Sequence, residues 1–194
     1  MLIKRLIHTF APHFLIQVMN YLDNYEIMFS GLSLGEHSFE FEIGDKFFES
    51  FDYSEVKQGE IKVGVLLEKQ ERMLILNFNI SGFVHVMCDR CMEFYDQPIA
   101  GNEQLFVKFG DEYREESDDI IIIPSGNHSI NINQFIYEYI NLLLPYKCVH
   151  PNDSAGKITC NPVATGIIEK LSTQHHTDPR WDALKTIKDQ LGKK

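Results

Sequence analysis

The feature that most constrains this chain is a C-x-x-C motif at residues 88–91, which follows a run of strand-forming residues. Two residues between the cysteines allow both sulfurs to face one metal ion from a tight turn, and the same spacing occurs in thiol redox sites. Two further cysteines, Cys148 and Cys160, lie downstream with His150 between them. If the fold joins the two groups, they supply the four ligands that a closed tetrahedral zinc site requires. The alternative is that the cysteines are buried thiols that pack as small apolar side chains.

Length and composition set bounds on the fold and the partner. The chain has 194 residues, of which 44% are hydrophobic and 12% aromatic, so it is able to bury one good core. Its formal net charge of -10 argues against a broad phosphate-binding face, because affinity for nucleic acid comes mostly from lysine and arginine. The negative charge instead favours a partner that is itself basic.

The ends of the chain are expected to differ from its middle. Residues 1–19 carry basic residues before an apolar run, but His8 and Pro12 interrupt that run, and we interpret the stretch as an extension outside the fold. A single domain is expected over residues 20–171, with a linker and a helix over residues 172–194. Without a convincing export signal, the four cysteines indicate a reducing, cytoplasmic environment. No apolar run approaches the roughly 20 residues of a membrane-spanning helix.

Alternating residues predict strands in the first half of the chain. Residues 37–43 alternate between polar and apolar, so their aromatic side chains are expected to face a core. Residues 61–69 and 73–80 predict a hairpin. The sequence then favours antiparallel pairing between neighbouring strands.

The C-x-x-C motif is expected at the tip of a further hairpin. After a break at Ser81-Gly82, residues 83–87 predict a strand that leads into the motif, and residues 93–99 predict the outgoing strand. A C-x-x-C motif in this position is typical of a zinc ribbon arm. Residues 105–109 predict another strand.

An acidic run occupies residues 111–119 and is relieved only by Arg114. Such a run is usually a solvated loop. The alternative hypothesis is a docking surface for a basic partner, whose binding residues would be Asp111, Glu112, Glu115 and Glu116.

The second half of the chain predicts helices among shorter strands. Residues 120–123 predict a strand, and Asn131 or Asn133 is expected to cap a helix that extends to Leu144. Residues 163–171 predict a second short helix. The whole pattern predicts an α+β fold with a mainly antiparallel sheet and a few helices in the C-terminal half.

A last amphipathic helix is predicted after a polar linker. Asp178 is expected as its N-cap and Pro179 as its first helical residue. An isolated helix of this length is marginal in water, so its apolar stripe must dock on its own domain or on a partner. The excess of lysine and arginine at this end favours an interaction tail, and the candidate partner-binding residues are Arg180, Trp181 and Leu184.

Two enzymatic interpretations remain open from the residues alone. A thiol redox protein would use Cys88 and Cys91, although the reactive cysteine of such a motif normally opens a helix and the flanks here are strand-like. A metal-dependent hydrolase would leave one zinc position open to water beside a glutamate or histidine base. The sequence contains no H-E-x-x-H or H-x-E motif, and it gives no catalytic residue.

The order of these features resembles the YceD family, whose members are associated with accumulation of large-subunit ribosomal RNA. The resemblance extends over roughly residues 25–191. Its parts are a β-rich half, Cys88-Asp89-Arg90-Cys91 followed by Met92-Glu93, an acidic loop, a helix that ends at Leu143-Leu144-Pro145, a ligand-rich loop, and Asp178-Pro179-Arg180-Trp181 near the end.

The resemblance implies a non-enzymatic factor in the synthesis, processing or stability of large-subunit ribosomal RNA. Its partner would be that RNA's precursor or a basic ribosomal protein, and neither a membrane nor a small-molecule substrate. The family pattern places a cysteine or histidine five residues after the helix-ending proline, here His150, and a cysteine later, here Cys160. A structural zinc ion would then be held by Cys88, Cys91, Cys160 and His150, with Cys148 as the alternative fourth ligand.

Overall fold

The computed structural model describes residues 21–173, so the predicted extension over residues 1–19 and the predicted terminal helix lie outside the described residues. The described chain begins with a 3-10 turn at Asp23–Tyr25. Its strands are β1 (Glu26–Met28), β2 (Gly35–Ile43), β3 (Gln58–Lys69), β4 (Met73–Met87), β5 (Phe94–Gly110), β6 (Arg114–Ser117), β7 (Ile120–Pro124) and β8 (Ser129–Asn131). Its helices are α1 (Asp45–Glu49), α2 (Asn133–Leu142) and α3 (Pro162–Thr173).

Six of the strands form one sheet in the order β2-β3-β4-β5-β7-β6. Neighbouring strands are antiparallel except β5 and β7, which run parallel. Strands β1 and β8 pair separately as a two-stranded antiparallel sheet. This arrangement confirms the predicted α+β class with a mainly antiparallel sheet.

The described chain divides into two compact units. The sheet unit comprises residues 21–87 and 94–148 and contains strands β1 to β8 with helices α1 and α2. The ligand unit comprises residues 88–93 and 149–173 and contains helix α3.

The core of the sheet unit lies on one face of the six-stranded sheet. Strand β3 buries every second residue from Ile61 to Leu67, and β4 does the same from Leu74 to Ile80. The helices of this unit cover the same core with Phe47 and Phe48 from α1 and Ile136 and Ile140 from α2. Burial of one such side chain contributes about 1.5–3 kcal/mol, so apolar burial stabilises this unit.

The break predicted at Ser81-Gly82 is wrong, because β4 continues through it to Met87. Gly82 pairs with Ile61 on one side and Ile99 on the other. It has a φ of +156°, and a Cβ added there would lie 2.2 Å from the carbonyl oxygen of Glu60. Glycine is therefore needed at this position because two backbones approach closely within a continuous strand.

The two strands predicted over residues 93–99 and 105–109 are parts of the single strand β5. Pro98 lies within it at a point where β5 pairs only with β4, since the pairing with β7 begins at Phe106. Proline is tolerated on such an unpaired edge because no ladder N–H is required there. The proline therefore does not end the strand.

Part of the acidic run is a strand and not the solvated loop that the sequence predicts. Residues Arg114–Ser117 form β6, which pairs antiparallel with β7 at the edge of the sheet. All four side chains are exposed, so the strand is held by its backbone hydrogen bonds and not by side-chain burial. Charged side chains on an edge strand also discourage pairing with other chains.

The predicted helices are present with shifted ends. Helix α2 stops at Leu142, two residues before the predicted end, and the side-chain oxygen of Asn131 accepts a hydrogen bond from the backbone N–H of Asn133 at 3.0 Å. Helix α3 covers the predicted 163–171 segment and extends to Thr173. Among the described residues, no helix combines the length and the apolar character needed to cross a membrane.

Candidate metal centre

The first pair of candidate ligands lies in a tight turn between β4 and β5. Cys88 follows Met87, the last residue of β4, and its N–H donates to the carbonyl oxygen of Glu93 at 2.9 Å. The N–H of Met92 donates to the carbonyl oxygen of Cys88, also at 2.9 Å. Met92 has a φ of 61°, a left-handed conformation that is unusual for a residue other than glycine. These bonds close the turn and direct both cysteine sulfurs to the same side.

The second pair of candidate ligands lies at the two ends of a small hairpin. Asn152 and Ile158 form an antiparallel bridge, so His150 and Cys160 become neighbours although they are ten positions apart in the sequence. The carboxylate of Asp153 accepts hydrogen bonds from the N–H groups of Ala155 and Lys157 at 2.9 and 2.7 Å, which fixes the hairpin turn. The long interval therefore has a defined fold that its spacing alone does not indicate.

The donor atoms of Cys88, Cys91, His150 and Cys160 all lie within 4.8 Å of one another. Cys88 Sγ is 3.8 Å from Cys160 Sγ, and His150 Nδ1 is 3.4 Å from Cys91 Sγ and 3.8 Å from Cys160 Sγ. A tetrahedral zinc ion with Zn–S bonds of about 2.3 Å and Zn–N bonds of about 2.0–2.1 Å requires S–S edges of about 3.8 Å and S–N edges of about 3.6 Å. The distances fit a four-coordinate zinc ion.

The cysteine ligands are buried, and their surroundings shift the pKa values of Cys88 and Cys160 in opposite directions. No disulfide joins the four cysteines, and Cys88, Cys91 and Cys160 are buried. Burial raises the pKa of Cys88, but hydrogen bonds from the backbone N–H groups of Cys91, His150 and Arg90, and from the His150 side chain, outweigh it and lower this pKa to about 5. Burial and the sulfurs of Cys88 and Cys91 raise the pKa of Cys160. Since the thiolate is the form of cysteine that binds metal ions, the lowered pKa of Cys88 favours binding of a cation.

Arg90 makes two hydrogen bonds to the ligand sulfurs. Its backbone N–H donates to Cys88 Sγ at 3.4 Å, and its guanidinium donates to Cys160 Sγ at 3.7 Å. Three thiolates and a neutral imidazole around Zn²⁺ carry a net charge of -1. The guanidinium offsets that charge, and donors to ligand sulfurs of this kind orient and tune metal ligands.

Asn161 connects the two ligand segments. Its side-chain N–H donates to the carboxylate of Glu93 at 2.6 Å, and its side-chain oxygen accepts from the N–H of Val163 at 2.8 Å. The second bond makes Asn161 the N-cap of α3, with Pro162 as the first helical residue. These two hydrogen bonds thus join the end of the ligand hairpin, the start of α3 and the cysteine turn within one unit.

The structure brings together four of the five candidate ligands. Cys88, Cys91, His150 and Cys160 form the group, and Cys148, the alternative fourth ligand, is not part of it. Cys148 is half-buried, and its thiol donates to the carbonyl oxygen of Pro145 at 3.6 Å.

The candidate partner-binding residues fall in two places. Asp111 and Glu112 are exposed between β5 and β6, and Glu115 and Glu116 are exposed within β6. The second group, Arg180, Trp181 and Leu184, lies outside the described residues.

Sequence reasoning missed three features of this centre. The pair Asn161-Pro162 is a recognisable helix start and would have placed the beginning of α3 correctly. The left-handed conformation of Met92 has no signal in the sequence, because methionine does not favour it. The contact between Arg90 and Cys160 joins residues 70 positions apart, and no local pattern predicts it.

Comparison with known families gives one match. The model of a family described as "Large ribosomal RNA subunit accumulation protein YceD" matches residues 76–188, which is more than half of the chain. The matched region includes the C-x-x-C motif, His150 and Cys160. No curated protein matches the chain, and no solved structure does.

Proposed function

The chain belongs to the YceD family, and from this membership we propose that it is a non-enzymatic factor in the synthesis, processing or stability of large-subunit ribosomal RNA. The family description names accumulation of this RNA, which is the observation that carries the proposal. We propose that the protein acts in the cytoplasm, where this RNA is made and assembled. Neither a membrane nor a small-molecule substrate has a part in the proposed function.

We propose further that Cys88, Cys91, His150 and Cys160 hold a structural zinc ion. Such an ion links four ligands by bonds that unfolded chains do not form, so its binding energy becomes folding energy. Four protein ligands would fill a tetrahedral shell and would leave no position for a water molecule, which a hydrolytic zinc site requires. This closed shell supports a structural role and not a catalytic one.

The direct partner is proposed to be the RNA precursor or a basic ribosomal protein. The net charge of -10 favours the protein, since phosphate contacts depend on lysine and arginine. An indirect action on RNA, through a protein that itself binds RNA, is compatible with an acidic chain.

The proposal is tested by deleting the gene and measuring large-subunit RNA relative to small-subunit RNA. We expect the ratio to fall and to recover when the wild-type chain is supplied. The double variant Cys88→Ser/Cys91→Ser should restore it poorly, whereas the matched control Cys148→Ser, outside the four-ligand group, should restore it fully. An unchanged ratio after deletion would contradict the proposed function.

A second candidate is a thiol redox protein that uses Cys88 and Cys91, and the lowered pKa of Cys88 favours it because the thiolate is the reactive form. Two measurements on the purified protein separate the candidates. About one zinc ion per chain with no thiol-disulfide exchange activity supports the structural role, because a zinc ion occupies the sulfurs. Zinc-free protein that forms a reversible disulfide supports the redox role.

A further inference from the structure

The sheet unit contains a groove of about 940 Å³ beside β6 and α2 whose charged lining is entirely acidic. Its lining includes no lysine, arginine or histidine. We call it the acidic groove, and its carboxylates are those of Glu103, Glu115, Glu116, Asp118, Asp119 and Glu138. Only two of these, Glu115 and Glu116, belong to the acidic residues that the sequence singles out as candidate contacts.

The protein itself neutralises little of this charge. Lys108 pairs with Glu116, with 2.6 Å between Nζ and Oε2. Tyr113 donates to Glu115 at 3.0 Å, and Gln134 donates to Glu138 at 2.7 Å, but neither donor carries a charge. Within the described part of the chain, the side chains of Glu103, Asp118 and Asp119 make no hydrogen bond or ion pair. The groove therefore holds a surplus of negative charge.

Tyr139 adds a second feature that points to a ligand. The residue lines the acidic groove, it is only 4% exposed, and its hydroxyl has no hydrogen-bond partner among the described residues. An unpaired buried hydroxyl destabilises the folded state, so a native structure rarely keeps one without a reason. Burial and the negative charges of Asp119, Glu103 and Glu138 raise its pKa, so the hydroxyl stays protonated and is able both to donate and to accept.

The spacing of the carboxylates excludes the simplest cationic ligand. Among residues 21–173, the only convergent group of histidine, cysteine, aspartate and glutamate donors is the metal centre. The groove carboxylates thus do not meet at one point as a bound metal ion requires. Spread along a groove, they match a ligand that carries several separate positive charges. Nucleic acid is excluded by the sign of its charge.

We propose that the acidic groove binds a lysine- and arginine-rich extended segment of a partner protein. Such a segment brings cations to the carboxylates, and its main-chain carbonyl groups are acceptors for the Tyr139 hydroxyl. Strand β6 is the last strand of the sheet order, and the acidic side chains that discourage its pairing with other chains would favour an added strand that carries lysine and arginine. Tyr113 and Leu142 line the groove with 58% and 73% of their surfaces exposed, so apolar residues between the basic ones have side chains to pack against. The proposal deepens the proposed function by giving the chemistry of the partner.

The first test measures binding of a synthetic 16-residue peptide, in which lysine or arginine alternates with apolar residues, to the full-length chain. The groove variant Glu103→Gln/Asp118→Asn/Asp119→Asn should bind about tenfold more weakly at low salt and with a flatter salt dependence, because exposed charges act over a Debye length. The matched control is Glu36→Gln/Glu42→Gln/Glu60→Gln, an equal change of charge at exposed positions of β2, the opposite edge of the sheet, and of its neighbour β3. It should change affinity less than about twofold.

The second test is Tyr139→Phe, which removes only the unpaired hydroxyl. A purely structural hydroxyl would leave peptide affinity unchanged. We expect the free protein to be as stable as the wild type or more stable, and peptide binding to weaken about two- to tenfold, which corresponds to one hydrogen bond. Thermal unfolding and titration calorimetry on the same samples give both values.

Four outcomes would overturn the proposal. The first is an equal loss of peptide affinity in the matched control, the second is tighter binding of single-stranded RNA than of the peptide, and the third is full peptide affinity in Tyr139→Phe. The fourth is a gain in peptide affinity of more than tenfold when Lys185, Lys188, Lys193 and Lys194 are changed to glutamine. That gain would make this chain's own basic end the occupant of the groove. Peptide binding is measured on purified protein and does not depend on RNA levels in cells. If binding holds while gene deletion leaves large-subunit RNA unchanged, the proposed function fails and the groove assignment stands.

Discussion

The sheet unit and the ligand unit are stabilised in different ways. The sheet unit buries a continuous cluster of apolar side chains from seven of its strands and both of its helices. Among residues 88–93 and 149–172 of the ligand unit, only three residues are buried, and all three are cysteines: Cys88, Cys91 and Cys160. The first unit has a hydrophobic core, and the second has a cluster of metal-binding atoms where a core would be.

The two units therefore need different sources of stability in order to fold. Helix α3 shows it most clearly, because Val163 and Leu171 are 71% and 64% exposed and contribute little burial. Small folded units that bury little apolar surface usually depend on disulfides or metal ions. A zinc ion on the four ligands would supply that stabilisation, whereas the sheet unit would not require it.

The largest effect is expected from removal of zinc by a strong chelator. Structural zinc contributes about 10–16 kcal/mol in small zinc-binding peptides, so its loss should unfold the ligand segments. Amide hydrogens in residues 150–160 should exchange at least about 100-fold faster, while those in β3 should change less than about twofold. Hydrogen exchange followed by mass spectrometry measures both regions in one experiment.

Readdition of zinc serves as the control and should restore the protection. Equal loss of protection in β3 and in residues 150–160 would mean that the units do not differ in their dependence on metal. No change in either region, with less than a tenth of an equivalent of zinc in the purified protein, would remove the metal centre altogether.

The second effect is expected in the sheet unit and comes from Phe47→Ala, which should destabilise this unit and leave the metal centre intact. Phe47 is fully buried, and its ring lies 4.9 Å from that of Tyr25 and 5.1 Å from that of Phe51. Truncation of such a side chain lowers the free energy of unfolding by about 3–5 kcal/mol. Urea denaturation followed by the sheet signal measures the loss, and the folded fraction should still bind one zinc ion.

The matched control for this variant is Phe83→Ala, since Phe83 is a phenylalanine of β4 with 37% of its surface exposed, whereas Phe47 has none exposed. Its truncation should lower the free energy of unfolding by less than about 2 kcal/mol. If Phe47→Ala also abolishes zinc binding in the folded fraction, the two units are coupled and the comparison between them fails.

The sequence predicted the sheet unit best where side chains alternate. Residues 37–43 are predicted as a strand and lie within β2, whose Phe39 and Phe41 pack against the core. Prediction failed where a residue that usually ends a strand lies inside one. Gly82 and Gly101 are typical of loops, and the sequence predicts no strand at either, but the tertiary pairing of β4 with its neighbours keeps both within strands.

The ligand unit was predictable by residue type but not by geometry. The C-x-x-C motif predicts a turn because its spacing is local, and the structure places one there. The choice between Cys148 and His150 depends on the hairpin between His150 and Cys160, which no periodic pattern predicts. The acidic groove is even harder to predict from the sequence, because Glu103 and Glu138 belong to different elements and come together only after the sheet has formed.

The third effect concerns the charge beside the ligands and is tested with Arg90→Gln. The guanidinium of Arg90 donates to Cys160 Sγ, and loss of such a partner typically weakens metal affinity about 10- to 100-fold. Arg90→Lys keeps the charge but not the planar donor, so an intermediate affinity is expected. Competition with a coloured chelator measures the zinc affinity, and the sheet unit should denature as in the wild type. Equal affinity in all three proteins would show that Arg90 does not tune the centre.

The smallest effect is expected from Cys148→Ser, and it distinguishes the two candidates for the fourth ligand. Cys148 belongs to the sheet unit and is absent from the four-residue group, so its substitution should leave one zinc per chain and change the free energy of unfolding by about 1 kcal/mol or less. The partner variant His150→Ala should lose most of its zinc, because it leaves only three ligands and opens a position to water. Elemental analysis of both proteins, purified without chelator, gives the stoichiometry. The reverse result, zinc lost with Cys148→Ser and kept with His150→Ala, would place the fourth ligand in the sheet unit, and the ion would then join two units that otherwise fold by different means.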